Sequence, residues 1–255
     1  MGYAADYFQV HVARWLDEGW LFPGARLIEF GAQEFNCDLG EARKHTSAFL
    51  LDRSSTRLDD VLSIASVYRA VGVDYTSIDV DGSWGSTFFD LNTFAPPPEW
   101  TAAYDMVNNE GTIEHLANPV NGFQVAHELL KVGGLARHSI PLTGWPEHGL
   151  LYPTKKFYDL LIWENGYEVL EQRADNEDQA SRWLHLTYRK RSDRAFRVPF
   201  DHLTRPNASA IGARLTNNWR VFAQRRFNGD HPTRAPMSLW QRLVSVKRRI
   251  ESLVS

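Results

Sequence analysis

Cysteine is almost missing from this chain. Cys37 is the only one in 255 residues, so an intrachain disulfide cannot form and a zinc site built on several thiolates is excluded. A reducing, cytoplasmic setting is the simplest one for such a sequence. No stretch approaches the roughly 20 consecutive apolar residues that a membrane-spanning helix needs, and the amino end carries neither a cationic lead nor a cleavable apolar segment. Met1-Gly2 starts as a myristoylation signal does, but Asp6 stands where Ser or Thr is required. A full glycine-rich fingerprint is missing too, because Gln33 occupies the place of the second glycine after Gly31. A nicotinamide dinucleotide, whose pyrophosphate needs those glycines and a helix N-terminus, is disfavoured; a cofactor without phosphate fits better.

What is present is the balance of a soluble globular protein with a sizeable core: 43% hydrophobic, 23% charged and 13% aromatic residues. The net charge of −3 conceals an asymmetry. Through residue 188 the chain carries 13 Lys and Arg against 27 Asp and Glu, and from residue 189 onward 15 against 4. A basic segment of this kind meets nucleic acid, a phosphorylated carrier or anionic lipid, or it neutralises the acidic body it folds on, and the last is the default. The domain reading is an N-terminal helix over 1–24, an α/β domain over 25–190 and a basic C-terminal extension over 191–255.

Tyr7, Phe8, His11, Val12, Trp15 and Leu16 share one helical face, and Pro23-Gly24 ends that segment. Strands are expected at residues 25–30, 75–79, 86–90, 103–108, 135–140, 167–171 and 183–188, each a short β-branched or aromatic run. Helices are expected at 61–71, 120–131 and 153–165. Residues 36–60 read as a polar surface insertion, which is tolerable because loop-closure entropy grows slowly with length. Strands alternating with helices imply a mostly parallel seven-stranded sheet with helices on both faces, whose ligands sit beyond the carboxyl ends of the strands.

Glu29, Asp79, Asp90 and Asn108 all fall at such ends. A single acid there is explained by capping of the next helix, whereas four polar groups at successive strand ends favour a site. Taken in order, Ile28-Glu29-Phe30-Gly31-Ala32-Gln33, Ser77-Ile78-Asp79, Asp90-Leu91-Asn92, Tyr104-Asp105-Met106-Val107-Asn108 and Leu130-Lys131-Val132-Gly133-Gly134-Leu135 resemble the motifs of the Rossmann-like class I S-adenosylmethionine-dependent methyltransferases. The resemblance covers about residues 25–190, and Asn109 to His115, His138-Ser139-Ile140-Pro141 and His148-Gly149 are similar to a group of such enzymes found with small-molecule and sugar pathways. It departs from the pattern at Gln33 and in the 50 positions between Glu29 and Asp79. The resemblance implies that Glu29, Phe30, Gly31, Ala32 and Gln33 wrap the methionine part of S-adenosyl-L-methionine. It further implies that Asp79 accepts from the ribose, that Asp90 and Leu91 hold the adenine, and that Asn108 lies at the amino-acid end.

Methyl transfer to a hydroxyl profits from alignment and from a base near neutral pH, a window in which histidine titrates. His148, in a loop after the fifth strand, is the first candidate and His115 the second; Glu110 and Glu114 lie near in sequence, and His138, His11 and His127 read as packing residues. Two imidazoles and a carboxylate would also suit one divalent metal, an option not favoured here. The expectation is therefore a methyltransferase acting on a small-molecule acceptor, a sugar or sugar-nucleotide hydroxyl. The alternative is a non-catalytic module that binds a polyanion or nucleic acid through its basic tail.

Overall fold

A computed structural model describes residues 2–54, 62–143, 147–175 and 182–198. Residues 199–255 of the basic C-terminal extension lie outside the described residues, as do residues 55–61 of the insertion and 144–146.

Seven strands form one sheet: β1 (Arg26–Phe30), β2 (Asp74–Asp79), β3 (Thr87–Phe88), β4 (Tyr104–Glu110), β5 (Leu130–Thr143), β6 (Glu168–Asp175) and β7 (Arg182–Arg189). Their order is β3-β2-β1-β4-β5-β7-β6, and β7 alone runs antiparallel to its neighbours. The sheet is thus mostly parallel and Rossmann-like, as expected, with helices on both faces. The chain order reverses between β1 and β4, the place where α/β sheets open a crevice for ligands. β1 is apolar almost throughout, with Leu27, Ile28 and Phe30 fully buried, as a central strand covered on both faces must be.

Helices lie on both faces. One face is covered from the amino end, where a π-helical turn (Phe8–Val12) continues into α1 (Ala13–Asp17). Phe8, Val12 and Trp15 join Leu27, Tyr75, Met106 and Leu135 of the sheet in one core, together with α2 (Leu39–Leu50) and α3 (Ile64–Ala70). The other face receives α4 (Pro119–Leu129) and α5 (Lys155–Asn165), whose Phe123 and Phe157 rings lie 5.2 Å apart, with the His138 ring of β5 5.1 Å from Phe123.

Several expectations need correction. The stretch over 36–60 is not simply a loop: Asp38 accepts from the Glu41 amide at 2.9 Å and starts α2, which buries Ala42, Thr46, Phe49 and Leu50. Its apolar stripe is hidden in the sequence because two of its four members are Ala and Thr, and the Thr46 hydroxyl is satisfied inside the helix by the Ala42 carbonyl at 2.7 Å. The third strand shrinks to Thr87–Phe88, which leaves Asp90 in a turn, not on a strand. Lys131 to Gly134 belong to β5, where Gly133 takes a φ of +91° and donates to the Lys190 carbonyl. The segment after residue 190 continues to pack on the α/β body. Asn165 accepts from the Arg197 amide at 2.8 Å and donates to its carbonyl, and a His127 ring nitrogen meets the Arg194 carbonyl at 2.8 Å.

Candidate functional site

The ladder register, parallel through β5 and antiparallel to β7, sets Ser77, Glu29, Asn108, Arg137 and Thr187 in one row across five strands. Partners in such a row point to the same face, so a sequence reading of isolated strand ends becomes a polar band under the N-terminal segment. Glu29 and Asn108 are fully buried, and their partners are protein. The Tyr3 hydroxyl donates to Glu29 Oε2 at 2.5 Å, and Asn108 Nδ2 lies 2.9 Å from Glu29 Oε1, 3.0 Å from the Tyr3 hydroxyl and 3.2 Å from that of Tyr7. Two residues further along β4, Glu110 accepts from Tyr7 at 2.9 Å, and Arg137 Nη1, in the row itself, bonds to Glu110, to the Tyr7 hydroxyl and to Asn108 Oδ1. The rings of Tyr3 and Tyr7 stack at 3.6 Å over this band, and the Arg137 guanidinium lies 5.0 Å from the Trp15 ring.

The electrostatics follow from burial. Desolvation pushes the Glu29 carboxyl up to about 8, against the hydrogen bonds from Tyr3 and Asn108 that favour its charged form. Burial would raise Glu110 as well, but Arg137, Ser139 and Tyr7 outweigh it and hold that carboxyl below its ordinary value. The two acids are thereby driven apart, one protonated near neutral pH and one paired as a carboxylate.

The turn after β1 has the shape the glycine motif demands. Gly31 adopts φ +81°, and a Cβ there would stand 2.5 Å from Thr112 Oγ1, so only glycine fits. Thr112 Oγ1 donates to the Phe30 carbonyl at 2.6 Å, which closes this approach to the backbone. Phe30 itself is core. Asp79 is half-buried; its oxygens accept from the Ala32 amide at 2.8 Å and the Val80 amide at 2.6 Å, which ties the ends of β1 and β2 together. Gln33 is buried and donates to the Glu110 carbonyl at 3.2 Å, while its Oε1 has no hydrogen-bond partner among the described residues. Asp90 accepts from the Asn92 amide and side chain and from Thr93, bonds that lower its pKa, and Leu91 is buried beside it.

A nucleoside thioether therefore finds a partial fit. The orphaned Gln33 Oε1 is an acceptor awaiting a donor, and Asp79 at the end of β2 and Asp90 in the turn after β3 keep accessible surface. Glu29 and Asn108, expected to face the amino-acid end, have no exposed surface and are closed off by Tyr3 and Tyr7.

The two candidate histidines lie side by side. His115, at the end of the 3₁₀ turn Ile113–His115 after β4, and His148, in the loop after β5, meet edge to face with ring centroids 4.8 Å apart. Glu114 completes the group: one donor atom from each of the three residues lies within 4.8 Å of the others. Desolvation pushes the Glu114 carboxyl up to about 7, and burial and the neighbouring His148 lower the pKa of His115. The loop is held by Glu114 itself, whose carbonyl accepts from the Leu150 and Leu151 amides at 2.7 and 3.1 Å. His138 sits apart, buried between Asn109 and Tyr188 at 3.2 Å from each, with burial bringing it down to about 3.

Sequence reasoning passed over Tyr3, Tyr7 and Arg137. Arg137 did leave a signal, because a guanidinium within the apolar run Leu135 to Ile140 of a central strand must find a buried acid, and Glu110 stands at the end of the adjacent strand.

No family model and no curated protein sequence matches the chain. Among solved structures it is similar to the [4+2]-cyclase SpnF, at 14% identity and TM-score 0.46 over 71% of this chain and 80% of that one. It is also similar to the 1,6-didemethyltoxoflavin-N1-methyltransferase of Burkholderia thailandensis, at 15% identity and TM-score 0.43 over 73% and 80%. A third likeness is to the geranyl diphosphate C-methyltransferase of Streptomyces coelicolor A3(2), at 10% identity and TM-score 0.46 over 71% and 80%. Likeness of this degree transfers neither substrate nor chemistry from one chain to another.

Proposed function

We propose that this chain is an S-adenosylmethionine-dependent methyltransferase acting on a small-molecule acceptor, a hydroxyl of a sugar or sugar nucleotide. The observation that carries the reading is the joint placement, beyond the carboxyl ends of the inner strands, of the Gly31 turn bonded to Asp79 and of the His115 and His148 pair after β4 and β5. In this reading Asp79, Asp90 and Leu91 hold the nucleoside, the turn from Phe30 to Gln33 receives the amino-acid end, and Glu29 and Asn108 support that turn from beneath.

The cofactor would supply an electrophilic methyl group on a sulfonium. His148, with His115 against its ring, would take the proton from the acceptor hydroxyl as that oxygen receives the methyl group. Calorimetry of the full chain with S-adenosylmethionine and S-adenosylhomocysteine tests the reading, which fails if neither binds at millimolar concentration.

The buried closure of Glu29 and Asn108 by Tyr3 and Tyr7 favours a second reading, a non-catalytic module of the same fold whose partner is a polyanion. Absence of cofactor binding together with salt-sensitive binding of single-stranded nucleic acid, lost on removal of residues 199–255, is the outcome that selects it.

A further inference from the structure

We propose that Glu114, His115 and His148 form a mononuclear site for a divalent transition-metal ion, with two imidazoles and one carboxylate as protein donors and a remaining position open to a water or a substrate oxygen. The geometry that points there begins with the donor atoms, all within 4.8 Å of one another, and with the imidazoles in edge-to-face contact. A second observation stands independently of the clustering. Glu114 is 1% exposed, and neither of its carboxylate oxygens has a hydrogen-bond partner among the described residues. A buried carboxylate is strongly disfavoured unless a cation or donor meets it, so an orphaned acid beside two imidazoles marks a place where positive charge belongs.

The backbone is arranged to keep the donors together. Glu114 and His115 are consecutive in one 3₁₀ turn, and the strand-following loop that brings His148 is bonded to the Glu114 carbonyl through two amides. Gly149 permits the approach: a Cβ there would lie 2.9 Å from the Glu114 carbonyl oxygen and 3.0 Å from its Cγ. An ion bonded at about 2.0 to 2.2 Å needs donors roughly 3 to 3.5 Å apart, so the group must contract by about 1.5 Å. The exposed His115 has the freedom to supply that movement by side-chain rotation. Two nitrogens and one oxygen select zinc, cobalt, nickel or ferrous iron over magnesium and calcium, which prefer all-oxygen shells.

Its readout is metal binding, so the site is tested apart from the methyltransferase reading; with an ion bound, the His148 imidazole is a metal donor and no longer the free base assigned above. Full-length protein stripped with a chelator is titrated with Zn²⁺ by calorimetry and with Co²⁺ by visible absorption. The expected result is one equivalent bound with micromolar or tighter Kd and a cobalt spectrum of a nitrogen-containing site. His115→Ala, exposed and away from the core, and His148→Ala each weaken binding by at least about 100-fold. Glu114→Gln does the same, while His45→Ala, on the exposed surface beside Gln9, leaves it unchanged. Absence of stoichiometric binding, affinity indifferent to His115→Ala and His148→Ala, or preference for Mg²⁺ over Zn²⁺ and Co²⁺ would overturn the proposal.

Discussion

Replacing Glu29 by glutamine should make the protein more stable, and increasingly so as the pH rises. Glu29 is fully buried, and its carboxyl is pushed up to about 8 by desolvation, whereas in the unfolded chain it titrates near its ordinary value of about 4.5. Between those values the folded state keeps a proton that the unfolded state has released. The folded state binds more protons there, so stability is greatest below about pH 4.5 and declines as pH rises toward 8. The full gap corresponds to roughly 5 kcal/mol. Glutamine has no charge to bury and keeps an acceptor for Asn108 Nδ2; toward Tyr3 its amide donates, as the protonated acid's O–H would, and the Tyr3 hydroxyl, which donates to the carboxylate, turns to accept. Urea denaturation of both proteins from pH 5 to 8 is the assay. The advantage of Glu29→Gln should grow by about 3 to 4 kcal/mol across that range. Histidines that burial keeps neutral, His138 among them, give an opposite slope below about pH 6.5, but they are common to both proteins and cancel in the difference. Parallel pH profiles, with a constant difference between variant and wild type, would refute the assignment of Glu29 as the buried acid that keeps its proton.

Other outcomes follow from the same geometry. Arg137→Met should cost about 3 kcal/mol in urea unfolding because it strands the half-buried Glu110 carboxylate without its cation, and adding Glu110→Gln should recover much of that loss. Gly31→Ala forces a Cβ into Thr112 Oγ1 at positive φ; we expect a loss of roughly 2 kcal/mol or more in thermal unfolding and no detectable calorimetric binding of S-adenosylhomocysteine. Asp79→Asn should cost about 1 kcal/mol through its weakened bonds to the Ala32 and Val80 amides. If Asp79 also holds a ribose, calorimetric affinity for S-adenosylhomocysteine falls by about tenfold or more, a ratio near one leaving it a purely structural acid.

The fold was legible because its signals are periodic and local. Seven short runs bounded by glycine, proline and acids mark seven strands, and their alternation with helices implies the parallel sheet. The helix over Leu39–Leu50 escaped since Ala42 and Thr46 contribute little to a hydrophobic pattern, and the third strand was overread because only Thr87–Phe88 finds a ladder partner in β2. The site was harder. Sequence shows that Glu29 and Asn108 end strands but not that they share a register row, and no local rule connects them to tyrosines over a hundred positions from Asn108. Pairing of His115 with His148 was legible only as a shared end of the sheet; the edge-to-face contact depends on the Glu114 carbonyl anchoring a loop more than thirty residues downstream.

The tyrosine cap has a bearing on the order in which the molecule assembles. During synthesis Tyr3 and Tyr7 emerge long before Asn108 and Arg137 exist to receive them, so the first turn of chain must wait while the central strands are made. Contacts spanning 105 and 130 positions make that docking a late event, and amide exchange at the amino end should then record the completion of folding.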